Sequence, residues 1–237
     1  SPDNNTRTKG EQELNNQTSQ NFYNILVELS LLITKSDTSS NIRQFCGTYI
    51  KYLLNNEQFL QLWNQLSDEH KTKIENILME SLASESQEIR KTSSMAIGTI
   101  AAIEVPKSKW NILEIITNSA MNPNKNYRIT SLITIQNILD FLEWKKISTN
   151  NKKNILLAIT SNMDSTLCAE IINEAIKGFY KIIPYLYEFI ENGEQRQFII
   201  SLRNKLLTPE INKQKSKILS KLDKNSLSKD IRKITGN

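Results

Sequence analysis

The sequence predicts an all-α protein on two observations. Only 6 glycines and 5 prolines occur in 237 residues, whereas a sandwich or barrel with many tight turns would need the usual share of these residues, about 12%. Apolar residues recur three and four positions apart, as in segments 22–34 and 74–82, and no stretch alternates as a half-buried strand does. These patterns predict about ten to twelve helices of roughly 12 to 18 residues.

Helices of one type return along the chain at a regular interval. Equivalent positions in these marker helices are separated by 47, 38, 40 and 44 residues, which matches the two-helix repeats of HEAT and armadillo proteins. A second helix is expected after each of the first four marker helices. The marker positions are 43, 90, 128, 168 and 212, and the second helices are 69–83, 109–120, 151–163 and 195–207.

Such a repeat predicts one HEAT-repeat solenoid over residues 1–237, a right-handed superhelix of about five to six helical hairpins without an internal boundary. Small residues such as Gly47, Ala96 and Gly178 are expected where helices cross closely. The hairpins are expected at 1–35, 38–83, 87–120, 124–163 and 166–207, with a partial one at 209–237.

The positive charge of the chain is concentrated near its C-terminal end. The chain has 30 Lys and Arg against 25 Asp and Glu, of which residues 200–237 hold 10 basic and 3 acidic. Residues 1–199 are therefore slightly acidic, and no basic face is expected to run along the helices. Nucleic acid is accordingly not expected as a partner.

Side chains that carry catalysis or hold metals are sparse. His70 is the only histidine, Cys46 and Cys168 are the only cysteines, and no phosphate-binding loop, nucleophile elbow or zinc motif occurs. We expect no enzymatic activity, no cofactor and no metal. No apolar run reaches the roughly 18 residues of a membrane span, and residues 1–10 lack a hydrophobic signal core, so the expectation is a soluble intracellular chain without a membrane partner.

One segment is more specific than the repeat. Residues 100–116, IAAIEVPKSKWNILEII, resemble a stretch of importin-beta nuclear transport receptors, with Glu104, Pro106 and Trp110 in step. The segments SPDNNTRTKGEQEL, FYNILVELSLLI, IRQFCGTYIKYLL and SLITIQNILDFLE resemble neighbouring blocks of the same receptors. The resemblance covers about residues 1–207 and is to the N-terminal part of that family. Pro106 is expected to end one helix, and Trp110 to fill the turn at the start of the next.

The resemblance implies two partners and a location. Inner helices of the first repeats would contact the GTP form of the small GTPase Ran, and grooves between outer helices would take Phe-Gly motifs of nucleoporins. Cargo or an importin-alpha-type adaptor would bind only through later repeats that are missing here. The protein would shuttle between cytoplasm and nucleus and dock at the nuclear pore.

The resemblance also implies candidate contact residues, with the second helix of each hairpin taken as the inner one. The Ran-contact candidates are Tyr23, Glu28, Lys71, Glu75, Met79, Asn111, Glu114 and Asn118. The nucleoporin-groove candidates are Ile176, Phe179, Tyr180, Ile183, Ile218 and Leu222. Their helical spacing also suits solvated surface for the first set and interhelix core for the second.

Two other functions remain open on the sequence. A HEAT-repeat scaffold for a multiprotein complex would have the same periodicity and would not respond to Ran. A helical repeat that binds nucleic acid through residues 208–237 would show a salt-dependent affinity. Ran in its two nucleotide forms distinguishes the first from an import receptor, and deletion of 208–237 tests the second.

Overall fold

The structure is a computed structural model that describes residues 4–107, 109–164 and 166–185. These ranges hold ten α-helices and four short 3-10 turns, and no strand lies within them. The helices are α1 (Asn4–Gln20), α2 (Phe22–Thr34), α3 (Ser40–Asn55), α4 (Glu57–Gln65), α5 (Asp68–Glu80), α6 (Gln87–Glu104), α7 (Ile112–Ser119), α8 (Lys125–Phe141), α9 (Thr149–Ser161) and α10 (Ala169–Ile182). The 3-10 turns are Ser81–Ala83, Val105–Lys107, Trp144–Lys146 and Ile183–Tyr185.

The predicted helix order agrees with these elements up to α10. The marker helices are α3, α6, α8 and α10, and α5, α7 and α9 follow the first three at the predicted places. One helix was missed: α4 separates α3 from α5, because Asn56 ends α3 and its side chain then accepts a hydrogen bond from Gln58 N that starts α4. The predicted helix 195–207 and the partial hairpin 209–237 lie outside the described residues.

The chain divides into two compact units, residues 1–100 and 101–237, and α6 ends just inside the second. In the first unit α2 packs on α3 and α5. Its core contains Leu26, Ile33, Ile50, Leu53 and Trp63, all at most 1% exposed. Burying each such side chain contributes about 1.5–3 kcal/mol. The prediction of a single solenoid over the whole chain stays a prediction.

The second unit is organised around α8, which packs on α7, α9 and α10. Its described core contains Ile112, Ile116, Ile135, Ile159 and Phe179, at most 1% exposed. These positions follow the three- and four-residue spacing of the sequence, so each helix buries its apolar stripe against its neighbours. No helix within the described ranges combines the length and the hydropathy that crossing a membrane requires.

An arginine occupies the fourth position of α3, α6 and α8, and in α3 and α6 it connects the helix to the chain before it. Arg43 donates to the carbonyl oxygens of Ile33 (3.0 Å), Lys35 (3.1 Å) and Thr38 (2.8 Å). Arg90 donates to carbonyls in the loop before α6, and Arg128 donates to the amide oxygen of the buried Asn162. Arg43 and Arg90 therefore satisfy backbone carbonyls that would otherwise lack partners, whereas Arg128 contacts the side chain of Asn162, which itself donates to the Ala120 carbonyl oxygen at 2.9 Å.

Helices in the first unit approach closely at Gly47. A Cβ at this position would lie 2.5 Å from Thr92 Cγ2 and 2.9 Å from Met95 Cε. Gly178 allows a similar but looser approach in the second unit, where a Cβ would lie 3.2 Å from Ile159 Cδ1. The prediction of small residues at crossings is confirmed at these two glycines.

Candidate protein-binding surfaces

The Ran-contact candidates on α2 lie at its accessible side. Glu28 is exposed and Tyr23 is half-buried. The Tyr23 ring stacks on the ring of His70 at the start of α5, with centroids 3.9 Å apart and planes 20° apart. His70 lies in the first turn of α5 and is half-buried. The stack connects α2 to the start of α5.

The candidates on α5 lie on a different face from the one expected. Lys71 and Glu75 are buried, at 8% and 7% exposure, and Lys71 Nζ lies 5.4 Å from the centroid of the Trp63 ring. Both residues stand three positions from Ile74 or Leu78, so they share the stripe that packs inward. Lys71 and Glu75 are therefore packing residues on the buried side of α5, and Met79 is half-buried.

The exposed stripe of α5 consists of Thr72, Asn76 and Glu80, four residues apart. This stripe is displaced by one residue, about 100° around the helix axis, from the expected stripe of Lys71, Glu75 and Met79. The spacing of Lys71 and Glu75 from the apolar residues could have revealed this in the sequence. Thr72, Asn76 and Glu80 are thus the exposed polar residues along this side of α5, and the sequence pattern had not singled them out.

The candidates on α7 lie on its exposed face. Asn111, Glu114 and Asn118 are all exposed, and Asn111 Nδ2 donates to Glu114 Oε2 at 2.6 Å. Ile115, which is 44% exposed, adds an apolar side chain beside them that the sequence analysis did not single out. The result is a short mixed polar and apolar strip at the start of α7.

The turn before α7 contains the two residues expected to shape it. Pro106 lies in the 3-10 turn that ends α6 and is exposed, and Trp110 is half-buried two residues before α7 begins. The carboxylate of Glu104, 1% exposed on its side chain, accepts a 3.3 Å hydrogen bond from Lys107 Nζ across this turn. The backbone N–H of Lys109 donates to the Glu104 carbonyl oxygen at 3.2 Å. The turn is thus held by its own polar groups.

The nucleoporin-groove candidates on α10 are mostly interior. Ile176, Phe179 and Ile183 are each 1% exposed, because this side of α10 packs on α8 and α9. Tyr180 is half-buried, and burial raises the pKa of its phenol. Ile218 and Leu222 lie outside the described residues. Among the described candidates, Tyr180 alone keeps substantial accessible surface.

Exposed aromatic surface occurs instead on α3. Ile42, Phe45 and Tyr52 are 50%, 52% and 44% exposed. The ring of the buried Tyr49 lies between the last two, with centroids 5.5 Å from Phe45 and 5.7 Å from Tyr52. The three- and four-residue spacing of these side chains is visible in the sequence. In the sequence, this segment served only to identify a marker helix of the repeat. We call Ile42, Phe45, Tyr49 and Tyr52 the α3 aromatic face.

A groove adjoins one end of the α3 aromatic face. Its volume is about 420 Å³, and its lining contains Thr48, Lys51, Tyr52, Asn55 and Asn56. The hydroxyl of Tyr49 donates to Asn15 Oδ1 at 3.0 Å, and this hydrogen bond connects the face to α1. A lining that is mostly apolar in area and includes two side-chain amides suits an apolar side chain flanked by peptide groups.

Comparison with known proteins places the chain near one family in sequence and in fold. No protein-family model matches. The chain is 20% identical to importin subunit beta-1 of Schizosaccharomyces pombe over 210 residues, 85% of this chain and 24% of that protein. It is 21% identical to importin subunit beta-1 of Arabidopsis thaliana over 219 residues, 88% of this chain and 25% of that protein. The chain thus spans about a quarter of the length of the curated relatives it matches.

Solved structures show the same likeness in fold. Yeast importin-beta, Kap95p, superposes with a TM-score of 0.81 and 22% identity over 94% of this chain and 27% of that one. A Kap95p structure that describes its binding to RanGDP gives 0.83 and 21% over 98% and 29%, and a Kap95:Nup1 complex gives 0.80 and 22% over 94% and 27%. The all-α HEAT-repeat class and the resemblance to importin-beta are confirmed.

Proposed function

We propose that this chain is part of an importin-beta-type nuclear import receptor and acts by binding proteins, without catalysis. The observation that carries the proposal is the likeness to Kap95p over 98% of the chain at a TM-score of 0.83, in a structure described by its binding to RanGDP. A likeness in fold at 21% identity does not transfer a partner by itself. The exposed residues of this chain supply the remaining support.

The proposed Ran-binding residues are the exposed polar side chains of α5 and α7. They are Thr72, Asn76 and Glu80 on α5, together with the predicted Asn111, Glu114 and Asn118 on α7. Tyr23 and Glu28 on α2 are retained as candidates because both keep accessible surface. Lys71 and Glu75 are dropped as direct contacts because their side chains are packed against the protein.

The second proposed partner is the Phe-Gly repeat of nucleoporins. A Phe side chain supplied by a disordered partner binds best in a shallow apolar groove that is already formed. Of the described surfaces, the α3 aromatic face and its groove have this chemistry, and the related Kap95p is known in a complex with Nup1. The predicted site on α10, which would depend on Tyr180 with Ile218 and Leu222, remains a second candidate.

These partners imply a location for the receptor. A protein that binds Ran and nucleoporins during import would shuttle between cytoplasm and nucleus and dock at the pore. A fusion of residues 1–237 to a fluorescent protein should accumulate at the nuclear rim, and replacement of both Phe45 and Tyr52 by Ala should weaken that accumulation. Rim staining that is the same for both fusions would count against the α3 aromatic face.

The experiment that tests the proposed function is a pull-down of Ran in its GTP-bound and GDP-bound forms by the immobilised chain. We expect retention of the GTP-bound form well above that of the GDP-bound form. Equal retention of the two forms would contradict the expected preference for the GTP-bound form, although the similar Kap95p also binds RanGDP. Retention of neither form would contradict the import-receptor assignment. It would favour a HEAT-repeat scaffold that is not regulated by Ran.

A further inference from the structure

The turn between α8 and α9, together with the start of α9, concentrates positive charge in the second unit. Residues 143–153 contain four lysines and a single carboxylate, that of Glu143. Glu143 Oε2 lies 2.8 Å from Lys145 Nζ, and its Oε1 lies 2.7 Å from Lys146 Nζ. One carboxylate therefore serves two ammonium groups, and the segment keeps a net positive charge.

Two features hold this segment in place. Trp144 is 3% exposed; its ring stacks on Tyr185 at 5.1 Å, and Lys152 Nζ lies 5.5 Å from its centroid. Ser148 accepts a hydrogen bond from Asn151 N and caps α9, whose N-terminal end adds a partial positive charge. The lysines thus project from an ordered turn and not from a free tail.

An exposed apolar residue continues the charged surface along α9. Leu157 is 60% exposed, the largest fraction among the large apolar side chains in the described ranges. It follows Lys153, which is also exposed, by four residues and so lies on the same face, about 6 Å farther along the helix. We call Lys145, Lys146, Lys153 and Leu157 the lysine patch.

We propose that the lysine patch binds an acidic peptide segment that carries large apolar residues. Carboxylates would pair with the lysines, and an apolar side chain would cover Leu157. An extended peptide advances about 3.3 Å per residue, so an acidic residue and an apolar residue two positions apart match Lys153 and Leu157. This partner is independent of Ran and of Phe-Gly repeats, and its positive docking surface lies in the part of the chain that is otherwise slightly acidic.

An acidic peptide fits the patch better than a nucleic acid does. Proteins that bind single strands combine positive charge with exposed aromatic rings on which bases stack. The aromatic ring within this turn, Trp144, is buried, and Leu157 is aliphatic. Tyr185 is 38% exposed, but it is a single ring with one face already stacked on Trp144, so it offers no row of stacking platforms. Charge complementarity together with Leu157 therefore favours a peptide.

The test uses the full chain and a fluorescein-labelled peptide of three Glu-Glu-Leu-Ser repeats, followed by fluorescence anisotropy. We expect saturable binding that weakens as salt rises. The combined substitutions Lys145→Gln, Lys146→Gln and Lys153→Gln should weaken it by about ten-fold or more, and Leu157→Ser should weaken it by a few-fold. All four side chains lie at the surface, and far-UV circular dichroism would check that each variant keeps its helices.

Matched controls separate this surface from generic attraction. The combined substitutions Lys35→Gln, Lys73→Gln and Lys91→Gln remove the same charge from the first unit, and Leu31→Ser removes an exposed leucine there; neither should change the affinity. Peptides with Gln for Glu, or with Ser for Leu, should bind the parent chain more weakly.

Four results would overturn the proposal. The first is that the peptide does not bind the parent chain, and the second is that the triple-lysine variant binds it as tightly as the parent does. The third is that the parent binds the Gln-containing peptide as tightly as the Glu-containing one. The fourth is that an oligouridine binds more tightly than the peptide and that Leu157→Ser does not change its affinity. The last result would identify a generic polyanion site. None of these results bears on Ran binding, so the two proposals fail or succeed separately.

Discussion

Gly47 lies where helices of the first unit come closest, and its missing side chain is what permits the approach. Because an added Cβ would lie 2.5 Å from Thr92 Cγ2, we predict that Gly47→Ala lowers the free energy of unfolding by about 1–3 kcal/mol. Gly10 in α1 has nothing within 4 Å of such a Cβ, so Gly10→Ala should be neutral or stabilise by up to about 1 kcal/mol. Urea unfolding of both variants tests this. Equal stability of the two would mean that the contact at Gly47 relaxes without cost.

Arg43 is a second residue whose role is specific. It is 4% exposed and donates to three backbone carbonyls of the segment before α3. Arg43→Met keeps much of the aliphatic stem but leaves those carbonyls without their donor, and we predict a loss of about 2–4 kcal/mol. Lys73→Met, an exposed position in the same unit, should change the unfolding midpoint little. Similar midpoints for both variants would show that water replaces the guanidinium.

Glu143 provides a prediction that depends on pH. Hydrogen bonds from Lys145 and then Lys146 lower the pKa of its carboxyl from 4.5 to about 2. The charged carboxylate is thus favoured in the folded state, so its stabilising contribution is present above pH 4.5 and is lost as the pH falls through 2. The ¹³C chemical shift of the Glu143 carboxyl should report a midpoint near 2 in the parent chain. In the double variant Lys145→Gln, Lys146→Gln, the midpoint should move up, and an unchanged midpoint would contradict the ion pairs.

One side chain caps the N-terminal end of α5. Ser67 accepts a 3.2 Å hydrogen bond from His70 N, and α5 carries both the exposed polar stripe and the residues that pack on α2. Ser67→Ala should cost about 1 kcal/mol in urea unfolding, whereas Ser67→Asn retains a capping oxygen and should cost little. Equal losses for Ala and Asn would indicate that the hydroxyl contributes something other than the cap.

The sequence predicted a helix well where a recurring residue marks that helix, and it predicted a helix poorly where only a cap separates it from its neighbour. Arg43, Arg90 and Arg128 recur at the fourth position of a helix, and this recurrence was sufficient to find α3, α6 and α8. The short α4 was missed because its nine residues were included in the predicted hairpin 38–83, and because only the Asn56 cap separates α4 from α3. Periodicity finds a helix of several turns more readily than it finds a break between two helices.

The candidate surfaces were predicted less well than the helices. On α7 the polar stripe is exposed as expected, but on α5 two charged residues belong to the buried stripe, because Trp63 covers Lys71. On α10 the apolar residues are covered by α8 and α9. Whether a side chain on a helix is buried depends on which helix packs beside it. The spacing of residues within one segment does not identify that neighbouring helix.

The proposed import-receptor function concerns the whole chain, which spans about a quarter of the length of its curated relatives. Calorimetric titration with Ran tests it most directly, and each exposed stripe can be removed separately by Ala substitution. One variant replaces Asn76 and Glu80, another replaces Asn111, Glu114 and Asn118, and a control replaces Gln44 and Thr48 on α3, all of them exposed.

We predict that the parent and the control bind Ran with GTP at least about ten-fold more tightly than Ran with GDP, a difference of about 1.4 kcal/mol. At least one of the two stripe variants should lose most of that affinity. Equal dissociation constants for the two nucleotide forms would refute the proposed preference for GTP, and full affinity in both stripe variants would refute the proposed Ran-binding residues.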